Sequence, residues 1–140
     1  MTQAYWLFKS EPQTYPFSQL IQDRKTNWNG VRNYQARNFL RSVAEGDLVL
    51  IYHSGEEKAV VGIAKVTRSG YPDPDSQKPG DWVQVDLVPV EGFRRPVPLA
   101  EIKSRDELKD LLLIKQSRLS VMPIPAKAFQ TLLNLGRQSK

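Results

Sequence analysis

Two apolar runs decide the fold of this chain, Gly46-Asp-Leu-Val-Leu-Ile-Tyr-His53 and Ala59-Val-Val-Gly-Ile-Ala-Lys-Val66. Each is too short for a buried helix, so both are predicted to be strands. Residues 54–58 between them are predicted to form the loop of a β-hairpin. Gly62, inside the second strand, predicts a bulge or the close approach of another group.

Amphipathic and capping patterns predict helices on both sides of this hairpin. In residues 33–43 the apolar side chains recur with helical spacing, and Asn33 is the predicted N-cap. Residues 17–23 predict a short helix with Leu20 and Ile21 turned inward. Further helices are predicted after a capping box at residues 104–107 and between Pro125 and Gly136.

Other strands are predicted at residues 4–9, 82–88 and 93–97, the second half-buried and the third at an edge. Residues 28–31 are predicted to form a turn, and residues 69–81 a long connection. This order of elements predicts an α+β fold, a small curved mixed sheet or open barrel with peripheral helices.

The length and composition limit the classes of protein that are possible. A chain of 140 residues with 40% hydrophobic and 25% charged residues predicts one domain over residues 1–140. It has no apolar run of the ~18–20 residues that a membrane helix needs, so we expect a cytoplasmic protein without a membrane partner. It has no cysteine and one histidine, so we expect no metal and no cofactor.

The net charge of +5 is unevenly distributed along the chain. Residues 24–44 contain no acidic residue, and neither do residues 111–140. On the predicted helix Asn33, Arg37 and Arg41 repeat every four residues and form a cationic stripe away from the core. Such a stripe suits an anionic partner, although a merely solvated surface is the alternative.

Catalytic patterns are weak in this sequence. His53 is the only possible histidine base, and its neighbour Ser54 would point to the opposite face of a strand. The sequence has no nucleophile elbow, no P-loop and no dinucleotide-binding motif.

A nucleic-acid-binding pattern is better supported. Bases are held by aromatic faces and polar groups, while cations contact the phosphates. Within ten residues the chain supplies all three kinds of group, namely Trp28, Asn29, Arg32, Asn33, Tyr34 and Arg37. Trp28 is interpreted as a pocket wall, with a core position as the alternative, whereas Trp6 and Trp82 are predicted to lie in the core.

Several runs along the chain resemble the EVE domain family in order and spacing. They cover nearly the whole chain and are Tyr5-Trp-Leu-Phe-Lys-Ser-Glu-Pro12, Trp28-Asn-Gly-Val-Arg-Asn-Tyr-Gln-Ala-Arg-Asn38, Gly46-Asp-Leu-Val-Leu-Ile-Tyr-His-Ser54, Val61-Gly-Ile-Ala64 and Tyr71-Pro-Asp-Pro74. The resemblance implies a PUA-like pseudo-barrel, related to the ASCH and YTH domains, whose members read modified bases in RNA or DNA.

The resemblance also implies a set of pocket residues. By analogy with YTH readers Trp28 would be a stacking wall, Ser10 and Asn33 would hold the edge of the base, and Tyr71 is the candidate for an opposing wall. The full set of candidate ligand-binding residues is Lys9, Ser10, Glu11, Trp28, Val31, Arg32, Asn33, Tyr34, Arg37, His53, Ser54, Tyr71 and Pro72.

The function predicted from these observations is a non-catalytic module, expected to be monomeric, that binds RNA or DNA carrying a modified base. One alternative is a small hydrolase or ribonuclease of the same barrel type, which would use Lys9, Glu11 and His53 around the same cavity. A third hypothesis is an interaction protein whose acid-free stretch over residues 111–140 binds an acidic partner.

Overall fold

The computed structural model describes residues 3–29, 31, 33–73 and 82–138. In this part of the chain six strands, five helices and one 3-10 turn follow each other. They are β1 (Tyr5–Ser10), α1 (Phe17–Asp23), β2 (Thr26–Trp28), α2 (Tyr34–Ser42), β3 (Leu48–His53), β4 (Ala59–Pro72), β5 (Val83–Pro98), α3 (Leu99–Lys103), the 3-10 turn (Asp106–Leu108), α4 (Leu112–Lys115), β6 (Val121–Pro123) and α5 (Ala126–Arg137).

The strands form one mixed sheet in the order β2-β5-β4-β3-β1-β6. The β1–β3 pair is parallel, and the other described pairs are antiparallel. The sheet curls into a half-barrel, because Phe8 of β1 lies 5.5 Å, ring centre to ring centre, from Trp28 of β2 at the opposite margin. The predicted α+β fold with a curved mixed sheet is therefore confirmed.

The predicted hairpin is confirmed as β3 and β4, paired from Leu48 with Lys65 to His53 with Ala59. Gly62 of β4 has both predicted properties. The pairing of β4 with β5 shifts between Val60 and Gly62, and a Cβ at Gly62 would lie 2.6 Å from the ring of Phe17. Any side chain here would displace α1 from the sheet.

Strand β1 is apolar from Tyr5 to Phe8 because both of its faces are covered there. Tyr5 stacks on Phe129 of α5 with ring centres 4.2 Å apart, while Trp6 packs against Phe39 of α2 on the other face. The predicted core position of Trp6 is confirmed. Its indole Nε1–H donates to Asp47, a buried carboxylate just before β3.

The predicted connection over residues 69–81 and the predicted edge strand over residues 93–97 are wrong in extent. β4 continues to Pro72 and β5 to Pro98, so the two form one long antiparallel pair, while residues 74–81 lie outside the described part. β5 tolerates its prolines because beyond residues 85–87 no β2 residue pairs with it, so no backbone donor is needed on that side.

The strand predicted at residues 82–88 is confirmed as the start of β5, but the prediction that it is half-buried is wrong. Gln84 and Asp86, on the face predicted to be solvated, are buried. They are hydrogen-bonded to β4, since Gln84 Nε2 donates to the Pro72 carbonyl and Asp86 accepts from Tyr71. Alternation alone does not distinguish a solvated polar face from a buried hydrogen-bonded one.

Helix α2 begins and packs as predicted. Asn33 Oδ1 accepts the Ala36 N–H at 2.9 Å, and Ala36 and Leu40 are buried. In α1 the inward orientation predicted for Ile21 is wrong, because this side chain is 51% exposed while Phe17 and Leu20 are buried. Of the turn predicted at residues 28–31, Trp28 belongs to β2 instead, and residue 30 lies outside the described residues.

Two predicted features of the C-terminal helices are wrong. Ser104 does not start a helix but ends α3, where its hydroxyl donates to the Glu101 carbonyl at 2.7 Å. Gly136 lies inside α5, which continues to Arg137; it is a glycine for packing and not for a helix end, because a Cβ there would lie 2.2 Å from the ring of Phe93. Among the helices of the described residues, none has the length and apolarity of a membrane span.

Candidate functional site

A cavity of about 750 Å³ opens where the two margins of the curled sheet face each other. We call it the seam cavity. Its lining comes from the end of β1 and the loop after it, from β2, from the start of α2 and from the residue before β6, namely Lys9, Ser10, Glu11, Thr14, Tyr15, Thr26, Asn27, Trp28, Asn29, Val31, Asn33 and Ser120. The half-barrel is open at this seam, so the cavity is accessible without any separation of paired strands.

The indole of Trp28 forms one wall of the seam cavity. Its ring lies against Phe8 at an interplanar angle of 43° and is half-buried, so it is not sealed inside the core. A half-buried aromatic ring with a rigid partner behind it is a suitable surface for a flat, apolar ring system. Val31, which is buried, is the only aliphatic side chain in the described lining.

Lys9 brings a cation to the wall of the cavity. Its Nζ donates to the Ser117 carbonyl at 2.6 Å and lies 5.6 Å from the centre of the Tyr52 ring. Burial lowers the pKa of Lys9 from its ordinary value of 10.5. Lys9 therefore connects β1 to the segment before β6 and keeps part of its donor capacity for a ligand.

The loop after β1 is held by its own hydrogen bonds. The hydroxyl of Ser10 donates to the Tyr15 carbonyl at 2.5 Å, and the N–H of Tyr15 donates to the Glu11 carbonyl at 2.8 Å. The Tyr15 hydroxyl donates to Asp23 of α1, and burial is the main cause that raises its pKa. Ser10 thus keeps only acceptor capacity toward the cavity.

Strand β2 is a margin of the sheet and, within the described part of the chain, pairs with β5 alone. Its outward backbone groups face the seam and have no strand partner among the described residues. Behind β2, Asn27 Nδ2 donates to the Tyr71 hydroxyl at 3.2 Å, and this hydroxyl donates to Asp86 at 2.5 Å. Burial, together with the hydrogen bond to Asp86, raises the pKa of Tyr71, and the network fixes the back of the cavity wall.

The structure brings six of the predicted site residues together around the seam cavity, namely Lys9, Ser10, Glu11, Trp28, Val31 and Asn33. Six others do not line it, namely Tyr34, Arg37, His53, Ser54, Tyr71 and Pro72. Arg32 lies outside the described residues. Tyr71 therefore supports β2 from behind and is not an opposing wall, and the Pro72 carbonyl accepts from Gln84.

Tyr34 and Arg37 belong to a separate outer cluster with Trp82. The rings of Tyr34 and Trp82 are stacked with centres 5.1 Å apart, and the Arg37 guanidinium lies 5.1 Å from the Tyr34 ring centre. Trp82 is buried as predicted, whereas Tyr34 is 61% exposed. The cluster begins one residue after Asn33 and so lies beside the seam cavity.

His53 makes its hydrogen bonds away from the seam cavity. Its Nε2 accepts the Phe17 N–H at 2.9 Å, so the proton of the neutral ring is on Nδ1, 2.8 Å from Glu57 Oε1. With both nitrogens occupied and the ring buried, His53 holds the start of α1. Ser54 lies behind Ser10, whose carbonyl accepts both its N–H and its hydroxyl.

The sequence reasoning missed five lining residues, namely Thr14, Tyr15, Thr26, Asn27 and Ser120. Four of them are close in sequence to predicted residues, so a wider window around Glu11 and Trp28 would have found them. Ser120 carries no such signal, because only the pairing of β6 with β1 brings it to the cavity. Within the described ranges no group of three or more His, Cys, Asp or Glu side chains could hold a metal ion.

The sheet order, the helices and the seam cavity define a PUA-like α+β protein. Residues 4–135 match the model of the EVE domain, and the chain belongs to this family. Human thymocyte nuclear protein 1 is 35% identical over 167 residues, which cover 94% of this chain and 73% of the human protein. The chicken protein of the same name is also 35% identical, with 99% and 71% covered.

Solved structures show the same fold. A structure of the human protein in complex with DNA containing 5-methylcytosine has a TM-score of 0.89 at 32% identity, covering 99% of this chain and all of that one. A protein of Pseudomonas syringae has a TM-score of 0.88 at 40% identity, with 95% and 99% covered. An ASCH protein of Zymomonas mobilis, at 13% identity and a TM-score of 0.58, shares the fold alone.

Proposed function

We propose that this protein binds DNA that carries a modified base and holds that base in the seam cavity against Trp28. The observation that carries the proposal is the position of the Trp28 ring, half-buried on the wall of an open cavity of about 750 Å³. This volume lies in the range of small-molecule sites, ~300–1,000 Å³, and leaves room for one nucleotide.

The human relative supports 5-methylcytosine as the first base to test. That protein was solved with DNA containing 5-methylcytosine, and the chain in that structure aligns with this chain over its full length. RNA with the same modification is the alternative ligand, because the polar lining of the seam cavity does not itself distinguish the two sugars.

The energetics of the seam cavity favour a base that is already easy to lift out of a duplex. Stacking on one aromatic ring contributes about 1–3 kcal/mol, while unstacking a base costs a few kcal/mol. A buried methyl group adds only about 0.8 kcal/mol. Val31 supplies the apolar surface that such a methyl group requires, next to the Trp28 ring.

The outer cluster extends the proposed interface beyond the cavity. Tyr34 presents an exposed ring with a rigid indole behind it, and Arg37 lies over both rings. We propose that this cluster contacts the strand beside the bound nucleotide, because stacking platforms next to cations are typical of single-strand contacts.

The test measures binding of fluorescent oligonucleotides that contain one 5-methylcytosine, cytosine or thymine at the same position, as DNA and as RNA. We expect the intact protein to prefer 5-methylcytosine, and Trp28→Ala to weaken that complex about 10- to 100-fold because one stacking contact is lost. Equal affinity of the intact protein for 5-methylcytosine and cytosine in both DNA and RNA would contradict the proposal.

Trp28→Phe is the matched control, since it keeps an aromatic ring against Phe8. We expect this variant to retain most of the affinity, and circular dichroism should show both variants folded. A folded Trp28→Ala protein that binds like the wild type would place the base elsewhere.

A hydrolase remains the second candidate function because Lys9 and Glu11 both line the seam cavity and burial lowers the pKa of Lys9. The seam cavity has no histidine base among its described lining residues, since His53 is held by Phe17 and Glu57. Turnover of RNA, DNA or acylated nucleosides that disappears in Glu11→Gln would support it. If the wild-type protein turns over none of these substrates, the hydrolase function is excluded.

A further inference from the structure

A second hollow adjoins the seam cavity on the side of α2. It has a volume of about 360 Å³ and lies between the start of α2 and the segment that joins α4 to β6. Asn33 lines both hollows. The joining segment supplies Ser117 and Arg118 to the second hollow and Ser120 to the seam cavity, so the two share a rim.

The joining segment is fixed relative to the seam cavity. Leu119 is buried in the core, and its N–H donates to the Gln116 carbonyl at 3.0 Å, which closes a turn around Ser117 and Arg118. The Lys9 ammonium donates to the Ser117 carbonyl at 2.6 Å. Arg118 therefore projects from a turn that is tied both to the core and to the cavity wall.

The second hollow is lined by cations and neutral donors. Lys115 and Arg118 are both exposed, and Gln35 and Ser117 add an amide and a hydroxyl. No acidic residue lies between residues 111 and 140. Lys115 Nζ is 3.4 Å from Asp110, but both side chains are largely exposed, so this pair contributes little and leaves Lys115 available to another anion.

We propose that the second hollow binds a backbone phosphate next to the base held in the seam cavity. This inference rests on the proposed function. A nucleotide whose base fills the cavity leaves its sugar at the mouth and its phosphates at the rim. Guanidinium, ammonium, amide and hydroxyl groups are the usual partners of phosphate oxygens, and such contacts fix the register of the strand.

The experiment tests whether the positive charges of Lys115 and Arg118 contact one particular phosphate of the DNA. DNA with one 5-methylcytosine is made in three versions. One version has natural linkages only, and each of the other two has a single neutral methylphosphonate linkage, on one side or the other of the modified nucleotide. Binding is measured for the wild type, for Lys115→Gln/Arg118→Gln, and for the control Lys103→Gln/Arg94→Gln. The control removes one exposed lysine and one exposed arginine on α3 and β5, outside both hollows.

We expect one neutral linkage to weaken wild-type binding about twofold to fivefold. Lys115→Gln/Arg118→Gln should bind natural DNA that much more weakly and lose nothing further with the neutral linkage, because the two changes remove the same contact. The control variant should respond to the neutral linkage as the wild type does. Plotted against salt, the slope of log affinity should fall by roughly 0.7–0.9 in the double variant.

Independent effects of the neutral linkages and the double variant would overturn the inference, as would an equal loss of affinity in the control variant. The ratio of affinities for 5-methylcytosine and cytosine is a separate readout, which the phosphate contact leaves unchanged. A ratio of one in the wild type contradicts the proposed function, whereas a normal ratio without phosphate coupling overturns this inference alone.

Discussion

At the scale of single residues, Asp47 shows how a buried charge can organise the sheet. Its carboxylate accepts the indole N–H of Trp6 and the backbone N–H groups of Ala4 and Ala44, at 2.9 to 3.1 Å. Ala4 lies just before β1, Trp6 lies at its start, and Ala44 lies just after the end of α2. One side chain thus connects three parts of the chain around the start of β3.

We expect Asp47→Asn to lower the free energy of unfolding by about 1–3 kcal/mol. The amide group turns one of the two acceptor oxygens into a donor, which leaves at least one of the three donors without a partner. Urea unfolding followed by circular dichroism measures the change. Asp106→Asn, at an exposed position, should stay within about 0.5 kcal/mol of the wild type, and a similar small effect at position 47 would contradict the argument.

At this scale the sequence predicts which kinds of residue line the site better than it predicts what each residue does there. Trp28, Asn29 and Asn33 were predicted from their chemistry and do lie on the seam cavity. Tyr71 and His53 were placed at the pocket through the resemblance, yet their hydrogen bonds hold β2 and α1 from behind. Such support roles depend on contacts between residues far apart in the chain, which no local pattern shows.

At the scale of elements, the packing of α5 on β5 depends on a glycine inside the helix. Gly136 leaves the space that the ring of Phe93 occupies, and a Cβ there would lie 2.2 Å from that ring. Glycine normally costs a helix interior about 1 kcal/mol relative to alanine. Close contact between the helix and the sheet compensates for that cost.

We expect Gly136→Ala to destabilise the protein by about 1–3 kcal/mol, although alanine is the better helix former, because the Phe93 ring must move. In a Phe93→Ala background the same substitution should cost less or become stabilising. A double-mutant cycle of unfolding free energies measures this coupling, and additive effects would show that the ring is not the cause.

Element boundaries in the sheet were the least predictable part of the fold. The prolines and glycines in β4 and β5 look like breaks in sequence, but among the described residues β5 has no partner strand on one side along much of its length and accommodates prolines there. Strand β6 and helix α3 are too short to show a period. The helix α2, with its cap and clear apolar face, was predicted correctly for the same local reasons that stabilise it.

At the scale of the whole molecule, two bidentate ion pairs connect the C-terminal part to the sheet. Arg137 of α5 binds both oxygens of Glu91, and Arg95 of β5 binds both oxygens of Glu101 of α3. Hydrogen bonds from these arginines lower the pKa of each glutamate below the ordinary value of 4.5. Both pairs therefore couple folding to pH.

We expect the protein to lose stability as the pH falls through the region below 4.5. There the unfolded chain binds protons that the folded glutamates do not, so protonation favours unfolding, and the stabilisation is fully present above the unfolded pKa. In Glu91→Gln/Glu101→Gln the dependence of the unfolding free energy on pH should be shallower between about pH 5 and about pH 3. An unchanged slope, equal to that of the exposed control Glu45→Gln/Glu56→Gln, would contradict this assignment.

The gap between the two sheet margins also bears on how quickly a ligand is captured. A flat ring can slide in without the protein first breaking any ladder of hydrogen bonds. For an extruded base, the protein therefore adds little kinetic barrier of its own, and the rate of capture is governed by how often the duplex releases that base.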